Sequence, residues 1–130
     1  MTGWGLQSGA SIWIGGHDTD GKRLVHHLLI DMPKPPFGPI DAAFVTPESV
    51  DEAVHFTQKL STRLGPGKRL WVLTPKNKPS QQATIWIDLD NRMFEMGFTK
   101  VVSVDVEPCY EALGYEHTTL AQHGGEATPI

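Results

Sequence analysis

The sequence predicts an α/β domain built on a mostly parallel, doubly wound sheet that closes with an antiparallel hairpin. Three observations predict it. The stretch from Ile40 to Lys76 reads as strand, helix, strand, with a chemical marker at every boundary. From Thr84 to Val106 a second helical pattern is followed by alternation of period two. No internal repeat or second domain shows in the 130 residues, so one domain is expected over 1–118, with 119–130 as a tail.

The first strand is expected over Ala10 to Ile14, after a glycine-rich lead-in in which Trp4 and Leu6 tuck against the body. It ends at Gly15-Gly16. Asp18 or Asp20 then caps a short helix from Lys22 to Leu29, with Leu24, Val25, Leu28 and Leu29 apolar. Ile30-Asp31-Met32 is read as a stub of strand. Pro33 to Pro39 holds four prolines in seven residues, which rules out regular structure there.

Ile40 to Val45 is short and mostly apolar, as suits a strand buried on both faces of a parallel sheet. Ser49 and Glu52 form a capping box, and Val50, Ala53, Val54, Thr57, Leu60 and Leu64 make one apolar stripe. Gly65 is expected to end that helix in the left-handed conformation, with Pro66-Gly67 preventing its continuation. Arg69 to Thr74 is the next buried strand, stopped by Pro75, and the helical crossover joining it to Ile40–Val45 is expected to be right-handed.

A polar loop over 77–82 follows. Thr84 caps a helix in which Ile85, Leu89, Met93 and Met96 repeat, with Trp86 at its edge; Gly97 ends it and Phe98 packs behind the cap. In Lys100 to Val106, Val102, Val104 and Val106 share one face, and Val101, Ser103 and Asp105 the other. A turn at Glu107-Pro108-Cys109 leads to a last strand, Tyr110 to Thr118, interrupted by Gly114. Helices between strands and a final hairpin imply a Rossmann-like sheet.

Composition narrows the function classes. Eleven basic against fifteen acidic side chains give a formal charge of −4, and no more than two Lys or Arg are adjacent. That speaks against a nucleic-acid partner. One cysteine, Cys109, excludes an internal disulfide and a cysteine-based zinc site, and its ordinary role is that of a small core residue. There is no charged-then-apolar leader and no apolar run near 18 residues, so no membrane association and a cytoplasmic location are expected.

In doubly wound sheets ligands sit outside the carboxyl ends of the strands. Here those ends are Gly15-Gly16-His17-Asp18, Asp31, Thr46-Pro47 and Thr74-Pro75-Lys76. Gly15, Gly16, His17, Asp18, Asp31, Thr46, Thr74 and Lys76 are therefore the candidate binding residues. Lys76 is the sharpest, since a cation at a strand end pairs with a carboxylate or phosphate. No metal site is expected: His17, Asp18 and Asp20 lack a recognised ligand spacing, and His26 and His27 point about 100° apart on a helix. His55, His117 and His123 read as ordinary surface or tail histidines. No nucleophile motif appears. Trp13 and Trp71 fall within strands and are expected in the core, while Trp4 and Trp86 are freer to line a pocket or interface.

Asp41 to Val45, then a helix, then Leu64-Gly65-Pro66-Gly67-Lys68-Arg69-Leu70-Trp71-Val72 resembles the second half of class I S-adenosylmethionine-dependent methyltransferases. Gly97-Phe98 matches the "G-F" helix end before their final hairpin. Leu70 to Lys76 and Ala112 to Tyr115 extend the likeness to a small bacterial family of unknown function built like a cut-down methyltransferase. The resemblance covers about residues 9 to 118. It implies S-adenosylmethionine as the cofactor, with Gly15 and Gly16 beside its methionyl part and Asp31 on the ribose hydroxyls. The loop after the first strand lacks the Gly-x-Gly spacing of that family, and a proline-rich loop stands where a third strand and helix would be.

Three functions follow. The preferred one is a noncatalytic Rossmann-like module binding a small ligand or a protein partner, with no catalytic residue assigned. The second is a minimal S-adenosylmethionine-dependent methyltransferase. The third is an accessory subunit of a homo-oligomer or larger complex, using the proline-rich loop and aromatic residues as its interface.

Overall fold

The computed structural model describes residues 6–7, 9–75, 88–106 and 110–117. The chain runs β1 (Ile12–Gly15), α1 (Thr19–Leu28), β2 (Ile40–Val45), α2 (Val50–Leu60), β3 (Leu64–Pro75), α3 (Leu89–Glu95), β4 (Phe98–Val106) and β5 (Tyr110–His117). These strands form one sheet in the order β1-β2-β3-β5-β4. β1, β2 and β3 are parallel, and β5 lies antiparallel between β3 and β4. The fold is a Rossmann-like α/β sheet with the C-terminal antiparallel hairpin.

Alternation along the strands sorts the core into two layers. On one face Ala43, Val45, Leu70, Val72 and Tyr115 meet α2 and α3 through Val50, Ala53, Leu60, Leu89 and Met93. On the other, Ile12, Ala42, Phe44, Trp71 and Leu73 meet α1 through Val25, with Leu29 just past its end. Fully burying an aliphatic or aromatic side chain of this kind contributes about 1.5–3 kcal/mol, so both layers are strongly held.

The two parallel crossovers differ in hand. β1 to β2 and β2 to β3 step the same way across the sheet, yet α1 covers one face and α2 the other. Assigning the common right hand to the tightly closed β2–α2–β3 unit leaves β1–α1–β2 left-handed. A right-handed path through α1 would have delivered a strand to the far side of β1. That flank is instead an edge of the sheet, where Ile12 N–H donates to Pro33 O at 2.9 Å. The proline-rich return carries the chain from α1 to β2 in place of the expected strand stub: Ile30 and Asp31 are in a turn, and Met32 in a bend.

Other boundaries shift for local reasons. α1 starts at Thr19 rather than Lys22, because Asp18 caps it by accepting from Gly21 N–H at 3.2 Å. α2 ends at Leu60, and the left-handed glycine of the following segment is Gly67 (φ +77), not Gly65. β3 begins at Leu64 because Leu64 pairs with Ile40, and the register then slips before Ala42 meets Arg69. Gly97 does end α3, with φ +90, and Phe98 behind it is buried. Gly114 does not interrupt β5. A Cβ there would lie 2.8 Å from Val102 Cγ1 and 3.1 Å from Trp71 Cζ3, so its bare backbone makes room for the buried indole within an unbroken strand.

Trp71 is fully buried and stacks on Phe44, whereas Trp13 is half-buried. Trp4, Lys76, the 77–82 loop, the first part of the helix expected from Thr84 with Ile85 and Trp86, Cys109, and the tail with Thr118 and His123 lie outside the described residues. No helix among the described residues is long and apolar enough to cross a membrane.

Candidate functional site

Because α1 and α2 leave β1 and β2 toward opposite faces, the loops after these adjacent strands diverge, and the crevice of a doubly wound sheet opens there. Gly15, Gly16, His17, Asp18 and Thr46 all meet at this place. Two main-chain bonds tie the loops together: Thr46 N–H donates to Gly15 O at 2.9 Å, and Asp18 N–H to Thr46 O at 3.0 Å. The Thr46 hydroxyl, fully buried, also donates to Gly15 O at 3.3 Å.

This packing explains both glycines. A Cβ on Gly16 would lie 2.1 Å from Thr46 O, and the residue has φ +146. A Cβ on Gly15 would lie 2.4 Å from Cη2 of the Trp13 indole. Each glycine accommodates the chain's own atoms.

The polar side chains around the crevice are likewise engaged. Asp18 accepts from the α1 amide of Gly21 and from the Tyr110 hydroxyl, the latter at 3.0 and 3.2 Å. His17 is exposed, and its Nδ1 pairs with Glu52 Oε2. The other Glu52 oxygen accepts from Glu48 N–H at 2.6 Å, one residue before the position expected of a capping box. Ser49 Oγ accepts from Glu52 N–H at 3.1 Å and completes the cap of α2. Pairing with Glu52 fixes which ring nitrogen of His17 is turned inward and leaves Nε2 as its outward polar atom. Phe56 flanks both Trp13 and His17, with ring centroids 5.3 and 6.5 Å away.

Both helix N-termini that face the crevice are thus occupied by side chains of this protein. Asp18, Asp20, Glu48, Asp51 and Glu52 gather there, with Asp20 and Asp51 paired to Arg23 and Arg92 at 3.7 and 3.2 Å. A helix N-terminus attracts anions through its free amides, and carboxylates already hold or surround these. The place is poorly suited to a phosphate group.

Two further candidates lie apart from these residues. Asp31 is exposed and lies near the amino end of the sheet, since the Pro33 carbonyl that follows it bonds the first residue of β1. It is remote from the crevice because no strand carries the chain back up after α1. Thr74 is buried near the carboxyl end of β3, one strand beyond β2, where it pairs with Glu111 of β5. Glu52 and Tyr110 were the residues that sequence reasoning missed here. The Ser49–Glu52 spacing did locate Glu52 in the first turn of the helix after β2, whereas nothing local marks Tyr110, which arrives from 92 residues away. No group of metal-ligating residues occurs among the described residues.

No family model matches the chain, and no curated protein matches it. Solved structures do. The fibrillarin pre-rRNA processing protein of Methanococcus jannaschii superposes with a TM-score of 0.55 at 12% identity, over 84% of this chain and 66% of its own. A protein of the NADB-Rossmann superfamily from Streptococcus agalactiae gives 0.51 at 14% identity, over 86% and 64%. A methyltransferase from Pyrococcus furiosus gives 0.43 at 17% identity, over 62% and 42%. The chain spans less than two thirds of the length of each. Its neighbours are class I S-adenosylmethionine-dependent methyltransferases and related Rossmann folds, and their likeness to it, at these identities, is one of fold.

Proposed function

We propose that this chain is a noncatalytic binding module of methyltransferase-like fold, which works through a protein partner and not through a bound cofactor. One observation carries the reading. The Gly15–Asp18 loop is bonded through main chain to Thr46, and its two glycines lie against the chain's own atoms, at the loop where the methyltransferase resemblance expects the methionyl part of a cofactor. The engagement of Asp18 by Tyr110 and the position of Asp31 at the opposite end of the sheet support it further. A partner surface is consistent with the exposed apolar side chains: Ile30 (71% exposed), Phe37 (80%), Phe94 (56%) and Val101 (49%).

A minimal S-adenosylmethionine-dependent methyltransferase is the second reading, favoured by the fold shared with the fibrillarin protein. Thermal shift and calorimetry with S-adenosylmethionine and its demethylated product separate the two. A ligand at a hundred times its Kd adds about 2.7 kcal/mol, a rise of several degrees in Tm. No rise and no heat are expected. Saturable binding of either compound overturns the proposal.

A further inference from the structure

The proline-rich return belongs to no helix or strand of the sheet, yet its burial repeats every three residues. Met32, Pro35 and Gly38 are half-buried, and the pairs between them, Pro33 with Lys34 and Pro36 with Phe37, are exposed. A period of three is that of the left-handed polyproline II helix, which has three residues per turn and no internal hydrogen bonds. The sequence dictates the same conformation. Pyrrolidine rings lock φ at roughly −65° in Pro33, Pro35 and Pro36, and Lys34 and Pro35, each followed by a proline, are driven out of the α region toward extended backbone. Gly38, with φ +89, ends the run before β2.

The rest of the chain grips this run along its inner row. Arg63 Nε donates to Gly38 O at 2.7 Å and its Nη2 to Pro35 O at 3.0 Å, so one guanidinium holds two of the three half-buried residues. Pro33 O accepts from Ile12 N–H at 2.9 Å, which fixes the start of the run to β1. The Lys34 ammonium turns back on the chain, donating to Leu29 O at 3.1 Å and Met32 O at 2.9 Å. Outward stand Pro33 and Pro36, one turn and about 9 Å apart along one side of such a helix. Phe37 follows them and is the most exposed large apolar side chain among the described residues, at 80%.

We propose that this segment is itself a ligand, docking as a preformed polyproline II helix into a groove lined by aromatic side chains on a protein partner. Pro33 and Pro36 fill neighbouring clefts between the rings, and Phe37 packs at the end of the groove. Grooves of this kind read the Pro-x-x-Pro spacing that Pro33 and Pro36 supply. A segment already held in its bound shape loses little entropy on docking. Because the Lys34 ammonium is engaged by the chain's own carbonyls, the face offered is apolar and its binding should respond weakly to salt. This deepens the binding-module reading by giving the class of partner. It does not depend on the crevice, so titration with S-adenosylmethionine and titration with a groove can fail separately.

The test is an NMR titration of the isotopically labelled full chain with two purified proteins that carry such grooves, an SH3 domain and a WW domain. Each is taken to about 1 mM, the weak end of specific association. Saturable shifts are expected at the Lys34, Phe37 and Gly38 amides with at least one of them, and none at Gly16, His17 and Asp18. Pro36→Ala is expected to abolish the shifts, whereas Pro39→Ala, exposed but beyond the turn at Gly38, is expected to leave them unchanged. Arg63→Gln keeps the prolines and frees the run, and is expected to weaken binding about two- to tenfold, the cost of ordering the segment on docking. An unchanged amide spectrum outside residues 30–39 shows that each variant is folded. No saturable shift with either domain, shifts centred elsewhere, a Pro36→Ala chain that binds as well as the parent, or an Arg63→Gln chain that does so overturns the proposal.

Discussion

Replacing Gly16 by alanine tests the closed crevice most directly. The new Cβ would sit 2.1 Å from Thr46 O, 2.5 Å from Thr46 C and 2.6 Å from Thr46 Oγ1, where ordinary contact begins at 3.4 Å. The obstacle is main chain, which cannot swing aside as a long side chain would. Relief requires the end of β2 to retreat, which breaks the Asp18 N–H to Thr46 O bond and strains the Thr46 N–H to Gly15 O bond. Overpacking of this kind costs about 1–3 kcal/mol, and a non-glycine residue in the left-handed region about 1–2 more. A loss of about 3 kcal/mol lowers Tm by roughly 10–15 °C for a domain of this size. Gly67→Ala is the control: φ is positive there too, at +77, but nothing lies within 4 Å of the added carbon. Only backbone strain remains, about 1 kcal/mol. Urea denaturation followed by tryptophan fluorescence compares the two. If Gly16→Ala loses no more stability than Gly67→Ala, the loop is not locked on Thr46 and the argument against a cofactor collapses.

Two other outcomes are expected. Asp18→Ala removes a helix cap and an acceptor of Tyr110, and should cost about 1–3 kcal/mol; Tyr110→Phe should cost about 1 kcal/mol, and less than that in the Asp18→Ala background, as a double-mutant cycle in urea would read. Stability should also fall at both pH extremes, each limb traced to one residue. The Asp41 carboxyl is held below its usual value, chiefly by Ser11 N–H at 2.9 Å and then by the Lys68 ammonium at 3.0 Å. Its contribution is complete above about pH 4 and is lost as pH falls through the depressed folded value, so Asp41→Asn should flatten the acid limb of a Tm–pH profile. Burial, and then the Asp90 carboxylate accepting at 2.6 Å, push the Tyr115 phenol above its usual 10.0. Its contribution is complete below that pH and lost above it, so Tyr115→Phe should flatten the alkaline limb.

The central β2–α2–β3 unit was legible because each boundary is local chemistry. Ser49 caps, the stripe from Val50 to Leu60 faces inward, and Ile40–Val45 is apolar on both sides because both faces are covered. The Val102, Val104 and Val106 face was legible for the same reason, since period two needs no partner to be read. What escaped were features decided between distant segments. That α1 and α2 lie on opposite faces while the strands step one way is invisible in a one-dimensional pattern, and it is what puts Asp31 at the wrong end of the sheet. Gly15 and Gly16 were read as openings for a ligand because a sequence shows a missing Cβ but not which atoms fill its place. Gly114 looked like an interruption in a strand for the same reason, when the neighbouring Trp71 occupies that space.

The edge position of β1 has a bearing on aggregation. β2, Ile40 to Val45, is apolar and buried at every residue but Asp41, and β1 is what covers its outer row of amide and carbonyl groups. β1 is only four residues long, and its own outer flank is guarded at Ile12 by a bond from a proline-rich segment that makes a poor template for a further strand. If β1 and α1 swing away together, the exposed row would belong to a six-residue strand, five of whose residues are apolar, of the kind that recruits identical strands from other molecules. The first strand and the helix after it therefore form a cover over that edge. Its docking through Ile12, Val25 and Leu29 onto Phe44 and Ala42 keeps the protein's most adhesive edge out of reach.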